Sequence, residues 1–106
     1  MKKVYIAHPY RGKTGNIEEI ELNLKNVDKI CKDICIKNDD ILIFSPLHAL
    51  SFFTYEDDQD YVLIKCKQML SLCDELWVFG NWQTSQGCNS EIAHATDMNI
   101  PIIFFN

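Results

Sequence analysis

Residues 4–9 read VYIAHP, and this stretch decides the fold class of the chain. Its first four residues are apolar, two of them are β-branched, and a proline ends the run. A short apolar run bounded in this way is typical of a strand that is buried on both faces, as strands of parallel sheets are. The chain therefore begins with a strand that needs helices above and below it.

Three further strands and three helices are predicted downstream of this first strand. Short apolar runs predict strands at residues 41–44, 74–80 and 102–105. Apolar residues three and four apart predict helices that begin at Ile17 and that cover about residues 60–72. Small residues together with Ile92, Ala93 and Ala95 predict a third helix over residues 85–98. Residues 47–60 are predicted as a loop that contains at most a helical turn.

Strict alternation of strands and helices favours a parallel sheet with right-handed crossovers and helices on both faces. We therefore expect one α/β domain over residues 1–106, a Rossmann-like or flavodoxin-like three-layer sandwich with four to five parallel strands.

Composition and charge exclude several function classes. The 106 residues carry fifteen acidic and ten basic side chains, and this net charge of -5 repels the backbone of polymeric nucleic acid. The five cysteines form no C-x-x-C pair, so we expect reduced thiols and no metal site. The first strand follows the N-terminus too closely for a signal or membrane segment, so a cytoplasmic location is expected.

Ligands of open parallel sheets bind beyond the carboxyl ends of the strands. Here that rule selects residues 8–15, 46–60 and 80–91. The first of these segments offers Arg11 as a phosphate fork and Gly12 for close backbone approach. It lacks both G-x-G-x-x-G and the P-loop spacing, so a solvated turn with a surface arginine stays an alternative.

The segment 85–91, SQGCNSE, has a more specific pattern. Ser85 and Gly87 lie where a helix is predicted to begin, and free amides there accept an anion. Glu91 follows in the second turn, so its carboxylate is expected to face the same crevice. The alternative is that Ser85 only caps the helix and Glu91 is an acid favoured by the helix dipole.

Four stretches together resemble the nucleoside 2-deoxyribosyltransferase-like superfamily along nearly the whole chain. They are residues 4–10, VYIAHPY; residues 73–80, CDELWVFG; the motif S-x-G-x-x-x-E at residues 85–91; and residues 100–102, IPI. The sequence is most similar to small uncharacterised members, and it also resembles 2′-deoxynucleoside 5′-monophosphate N-glycosidases.

The resemblance implies an enzyme in which Glu91 attacks C1′ of the sugar and forms a glycosyl-enzyme ester. It implies that Ser85 binds a 5′-phosphate, that Gly87 lets the phosphate approach, and that Arg11 and Gly12 face the same group. The chemistry agrees, because N-glycosidic cleavage develops oxocarbenium character at C1′ and a carboxylate stabilises or captures it.

One position departs from the family pattern. The N-glycosidases carry an aspartate on the helix before the third strand, about eight residues ahead of the Asp that opens that strand, where it supports departure of the base. The count back from Asp74 reaches Cys66. Asp57, Asp58 and Asp60 are other sources of a carboxylate, but no spacing identifies one of them. A nucleotide-binding module without turnover, or a structural subunit, therefore stays open beside the enzyme.

Four further side chains are candidates for the substrate site. Tyr10 and His8 are predicted to help orient the sugar, or His8 to act as an acid. His48 and Trp82 are predicted to contact substrate, with base stacking by Trp82 weighed against core packing.

We predict a hydrolase or deoxyribosyltransferase acting on a nucleoside or its 5′-monophosphate. No cofactor is expected. The resemblance implies a homodimer or larger homo-oligomer.

Overall fold

The computed structural model describes residues 1–105 and shows one sheet of four parallel strands. The strands are β1 (Lys2–Ala7), β2 (Ile41–Phe44), β3 (Glu75–Val78) and β4 (Ile102–Phe104). Their spatial order is β2-β1-β3-β4, and all three pairings are parallel. The predicted α/β class is confirmed. The sheet has four strands, where the sequence predicted four to five.

The helices are α1 (Ile17–Lys37), α2 (Pro46–Ala49), α3 (Gln59–Leu70) and α4 (Gln86–Asp97), with a 3-10 turn at Trp82–Thr84. Each of the three long helices begins beside a side chain that caps it. Asn16, Asp58 and Ser85 accept hydrogen bonds from backbone N–H groups of the first turns. The one helix that the sequence pattern predicted only as a turn is α2, which spans four residues.

The strand β1 is buried on both faces, as its apolar sequence predicts. Tyr5 and Ala7 belong to a core cluster on the side of α3 and α4. The alternation of side chains along a strand turns Val4 and Ile6 to the other face, where α1 lies. All four side chains are at most 1% exposed. The buried strand β1 thus fixes the position of the loop that follows its carboxyl end.

None of the helices in the part of the chain that the structure describes is long and apolar enough to cross a membrane.

Gly80 lies two residues after the end of β3, at the carboxyl edge of the sheet, in the left-handed region with φ of 73°. A Cβ added there would lie 3.1 Å from Pro9 Cδ and 3.2 Å from His8 Nε2. We expect Gly80→Ala to lower the free energy of unfolding by about 1 to 3 kcal/mol, because the left-handed conformation strains alanine. Urea unfolding measures this change.

Gly87→Ala is the matched control for Gly80→Ala. A Cβ at Gly87 meets nothing closer than Ser85 Oγ at 3.9 Å, and alanine favours a helix over glycine. This variant should therefore keep or gain stability. Equal losses in the two variants would contradict the role given to Gly80.

Candidate functional site

A cavity of about 320 Å³ opens at the carboxyl edge of the sheet. Its walls come from the loop after β1, from the segment between β2 and α3, from one side of α3, and from the start of α4. It gathers seven of the nine residues that the sequence predicted for the site, namely His8, Tyr10, Arg11, Gly12, Ser85, Gly87 and Glu91. The parallel sheet brings these residues together because successive strands end at the same edge.

The other two predicted residues, His48 and Trp82, do not line this cavity. Both ring nitrogens of His48 are engaged elsewhere, Nδ1 with Ser45 Oγ at 2.6 Å and Nε2 with Asp28 on α1. The indole of Trp82 packs against Phe104, with ring centroids 5.0 Å apart. The structure thus does not bring these two predicted side chains to the cavity: His48 makes polar contacts with Ser45 and Asp28, and Trp82 packs against Phe104.

Glu91 lies in the cavity wall on the second turn of α4, and it is 6% exposed. The Tyr5 hydroxyl, from the centre of β1, donates a hydrogen bond to Glu91 Oε2. Within residues 1–105, Glu91 forms no ion pair. The carboxylate is thus held in place by a neutral partner.

Burial raises the pKa of Glu91 to about 7, because the surroundings disfavour its charged form. The hydrogen bond from Tyr5 and the charge of Lys67 lower this pKa only in part. A carboxylate of this kind ionises near neutral pH, where it can serve as a nucleophile or a base.

Tyr5 is a site residue that sequence reasoning missed. It lies in an apolar run and is fully buried, so the pattern marked it only as part of a core strand. The available signal was its hydroxyl, because a buried tyrosine oxygen needs a partner and the face toward α4 holds Glu91. Burial is the main cause that raises the pKa of Tyr5 well above its usual value, and the nearby charge of Glu91 adds to this rise.

Cys66 on α3 lines the cavity beside these two residues. Burial is the main cause that raises the pKa of its thiol to about 11, and the nearby charge of Glu91 adds to this rise. The structure therefore places Cys66 beside Glu91 in the wall of the cavity.

Only one of the three alternative acids reaches the cavity. Asp57 accepts a hydrogen bond from the backbone N–H of Thr54 at 2.7 Å, and Asp58 caps α3. Asp60, which is exposed, lies in the cavity lining. Of these three acids, Asp60 is therefore the one placed to act on a ligand in the cavity.

One wall of the cavity suits an anion. Ser85 Oγ accepts from the backbone N–H of Cys88 at 3.2 Å, so the hydroxyl serves as the cap of α4. The first-turn N–H groups of a helix have no partner inside the helix, and the dipole there favours negative charge. Arg11 and Gly12 belong to the same cavity. An anionic group can therefore contact both segments.

The loop after β1 is fixed to the start of α1. The carboxylate of Glu19 accepts backbone hydrogen bonds from Lys13 and Thr14, each at 2.8 Å. Gly12 has φ of 69°, and a Cβ there would overlap the Glu19 side chain. Tyr10 is held through its backbone carbonyl, which accepts from Asn23 Nδ2 at 3.1 Å. These contacts preorganise the segment that carries Arg11.

His8 is buried at the end of β1, with Nδ1 2.9 Å from the carbonyl oxygen of Pro9. Since a carbonyl only accepts, Nδ1 carries the hydrogen and Nε2 is an acceptor in the neutral ring. Burial lowers the pKa of His8, which favours that neutral ring. His8 also borders a second, polar cleft of about 280 Å³ between α1 and Gly80.

No group of His, Cys, Asp and Glu side chains in the described residues is arranged to hold a metal ion.

Solved structures with the same fold include two transferases. A 2-deoxyribosyltransferase from Bacillus psychrosaccharolyticus has a TM-score of 0.69 at 17% identity, over 97% of this chain and 71% of its own. A 2-desoxiribosyltransferase from Leishmania mexicana has a TM-score of 0.61 at 18% identity, over 99% and 64%. A conserved protein from Enterococcus faecalis V583 has a TM-score of 0.75 at 18% identity, over 98% and 62%.

The protein is thus an α/β domain with a fold that 2-deoxyribosyltransferases share. The resemblance stated from the sequence is confirmed at the level of the fold. The chain belongs to the family described as Domain of unknown function (DUF7768), whose model matches residues 2–105. No curated protein matches it. It spans less than two thirds of the Enterococcus and Leishmania chains.

Proposed function

We propose that this protein cleaves the N-glycosidic bond of a nucleoside or nucleoside 5′-monophosphate, as a hydrolase or a deoxyribosyltransferase, with Glu91 as nucleophile. The observation that carries the proposal is the buried Glu91 carboxylate, held by Tyr5 in the wall of a cavity that also contains an anion-binding segment. The fold shared with two 2-deoxyribosyltransferases supports it.

The residues that line the cavity differ in polarity, and we assign the parts of the substrate to them by this difference. The phosphate lies at residues 85–87 and Arg11, where amides and a guanidinium favour an anion. The base lies against the apolar wall that Leu50, Phe53 and Leu63 form with their neighbours. The sugar between them then lies over Glu91.

In the proposed reaction, an oxygen of ionised Glu91 attacks C1′ while the bond from C1′ to the base nitrogen breaks. The electron pair of that bond leaves with the base. Water, or the nitrogen of a second base, then attacks C1′ and releases Glu91 as a carboxylate. Tyr5 is a positioning residue, because it contacts Glu91 and fixes the direction of its carboxylate.

A binding module without turnover is the second candidate, and Cys66 is the observation that favours it. A thiol with a pKa of about 11 is a poor proton donor to a departing base. Incubation with nucleosides and their monophosphates, followed by chromatography of the free base, separates the two functions. Release of base supports the enzyme, and tight binding without release supports the module.

The start of α4 and the nearby Arg11 lead to a prediction about ligand affinity. We expect a deoxynucleoside monophosphate to bind about tenfold or more tightly than the matching nucleoside, because charged hydrogen bonds hold its phosphate. Arg11→Ala should remove most of this difference. Titration calorimetry measures both affinities.

Lys32→Ala is the matched control for Arg11→Ala, since it removes one positive charge from an exposed position outside the cavity. It should leave the preference for the monophosphate unchanged. Equal affinity of the wild type for both ligands would remove the phosphate from the proposal.

The resemblance also supports a homodimer or larger assembly, and we propose this state for the chain. Sedimentation of the purified protein at two concentrations tests it, and a monomer at both would contradict it.

A further inference from the structure

The cavity wall beside Glu91 offers a departing base only weak proton donors. A neutral purine or pyrimidine leaves as an anion unless an acid protonates it, and that proton transfer is worth about 10²- to 10⁴-fold in rate. The Cys66 thiol has a pKa of about 11, and the Tyr5 hydroxyl already donates its hydrogen to Glu91. These two groups are therefore poorly suited to the task.

Other polar side chains of the cavity do not replace that acid. His8 commits its Nδ1 hydrogen to the Pro9 carbonyl, and in the neutral ring Nε2 has no proton to give. Tyr10 also has a pKa above its usual value because of partial burial. Asp60 lies exposed in the lining, in the first turn of α3, whereas Cys66 is partly buried in the wall beside Glu91. The wall beside Glu91 thus holds a thiol where a carboxylic acid would protonate the base, and the exposed Asp60 adds an acidic side chain to the lining.

The base end also suits a flat cation. Phe53 contributes an aromatic side chain to the lining, and Asp60 and Glu91 are its acidic side chains. Arg11, the basic side chain of the same lining, lies in the loop that we assign to the phosphate. Aromatic faces and carboxylates attract cations, so a positively charged ring gains from both contacts.

We infer that the preferred substrate is a nucleotide whose base carries a fixed positive charge, of the N-alkylpyridinium type found in nicotinamide nucleotides. This inference rests on the proposed function, since Glu91 remains the nucleophile. When the bond from C1′ to the ring nitrogen breaks, its electron pair neutralises the pyridinium, and the base leaves without a proton. Glu91 forms the ester, water attacks C1′, and the proton of that water passes to the solvent.

A cationic base also provides Glu91 with an ion-pair partner, which this carboxylate lacks among the described residues. The positive ring favours the ionised carboxylate, so binding of the substrate generates the nucleophile. The same charge is lost as the base departs, which favours product release.

The first test compares bases in the wild-type protein. Nicotinamide mononucleotide and nicotinamide adenine dinucleotide are incubated beside AMP and dAMP, and free base is measured by chromatography. We expect nicotinamide to be released about 100-fold faster than adenine, or more. Adenine release at an equal or higher rate would overturn this inference and keep the proposed function. Binding without release of any base would overturn both.

The second test introduces a carboxylic acid at position 66, in the cavity wall beside Glu91. Cys66→Asp should raise the ratio of adenine to nicotinamide release about tenfold or more, because the new acid helps only the neutral base. Cys66→Ser, the matched control, should leave this ratio unchanged. If Cys66→Asp folds by circular dichroism and the ratio stays fixed, the missing proton is not what selects the substrate. If it does not fold, the wild-type comparison decides.

Discussion

Replacing Glu91 by glutamine is expected to lower the rate of base release at least about a thousandfold while the affinity for a ligand with a neutral base changes little. Glutamine keeps the shape of the side chain, but it removes the charge that stabilises the oxocarbenium-like transition state. Steady-state kinetics and titration calorimetry measure the two effects. Glu21→Gln on the exposed surface of α1 is the matched control, and it should keep full activity.

Unfolding measurements show whether lost activity in Glu91→Gln reflects lost structure. The pKa of Glu91 is about 7 in the folded protein, above the usual value of an unfolded chain, so the folded state holds its proton more tightly. The wild type therefore loses stability as the pH rises toward and through 7. We expect the glutamine variant to melt above the wild type at pH 8, with a smaller difference at pH 5. An active variant, or one that melts lower at pH 8, would contradict the assignment.

Replacing Tyr5 by phenylalanine is expected to lower kcat/KM at pH 7 about ten- to a hundredfold. The hydroxyl lowers the pKa of Glu91, so its loss raises that pKa further and leaves less of the carboxylate ionised. The ring itself stays in the core. The pH dependence of kcat/KM measures the effect. As the pH is lowered, kcat/KM of the wild type should begin to fall near pH 7, and that of the variant should begin to fall at a higher pH.

Tyr61→Phe is the control for this change, because that tyrosine is exposed on α3 and lies outside the cavity lining. It should leave the pH profile unaltered. A Tyr5→Phe variant with reduced activity but an unshifted acidic limb would mean that Tyr5 only packs.

The fold was predictable because its signals are local. Apolar runs bounded by proline or glycine identify the strands, and Ile41–Phe44 has the bounds that the pattern predicts. The helix α2 was less legible, because a four-residue helix is too short to show a period. The strand β3 is shorter than predicted, since its ladder ends before the positive φ of Gly80.

The candidate site was predictable where residues lie next to strand ends. Contacts between residues far apart in the sequence were not predictable. Tyr5 and Glu91 are 86 positions apart, and only the stacking of α4 on the sheet brings them together. His48 illustrates the converse case, because it follows β2 at the edge where the cavity opens while its ring turns toward Asp28 on α1. Side-chain direction depends on tertiary contacts that a single sequence does not display.

The shared direction of the strands has a practical consequence for handling this protein. Because all four strands are parallel, Lys2 begins β1 at one edge of the sheet and the cavity opens at the other. Six residues of strand separate the two edges by about 20 Å. A purification tag, a fluorophore or a sensor surface joined ahead of Lys2 therefore leaves the cavity accessible. The same attachment after Phe105 would lie on the edge where ligands enter.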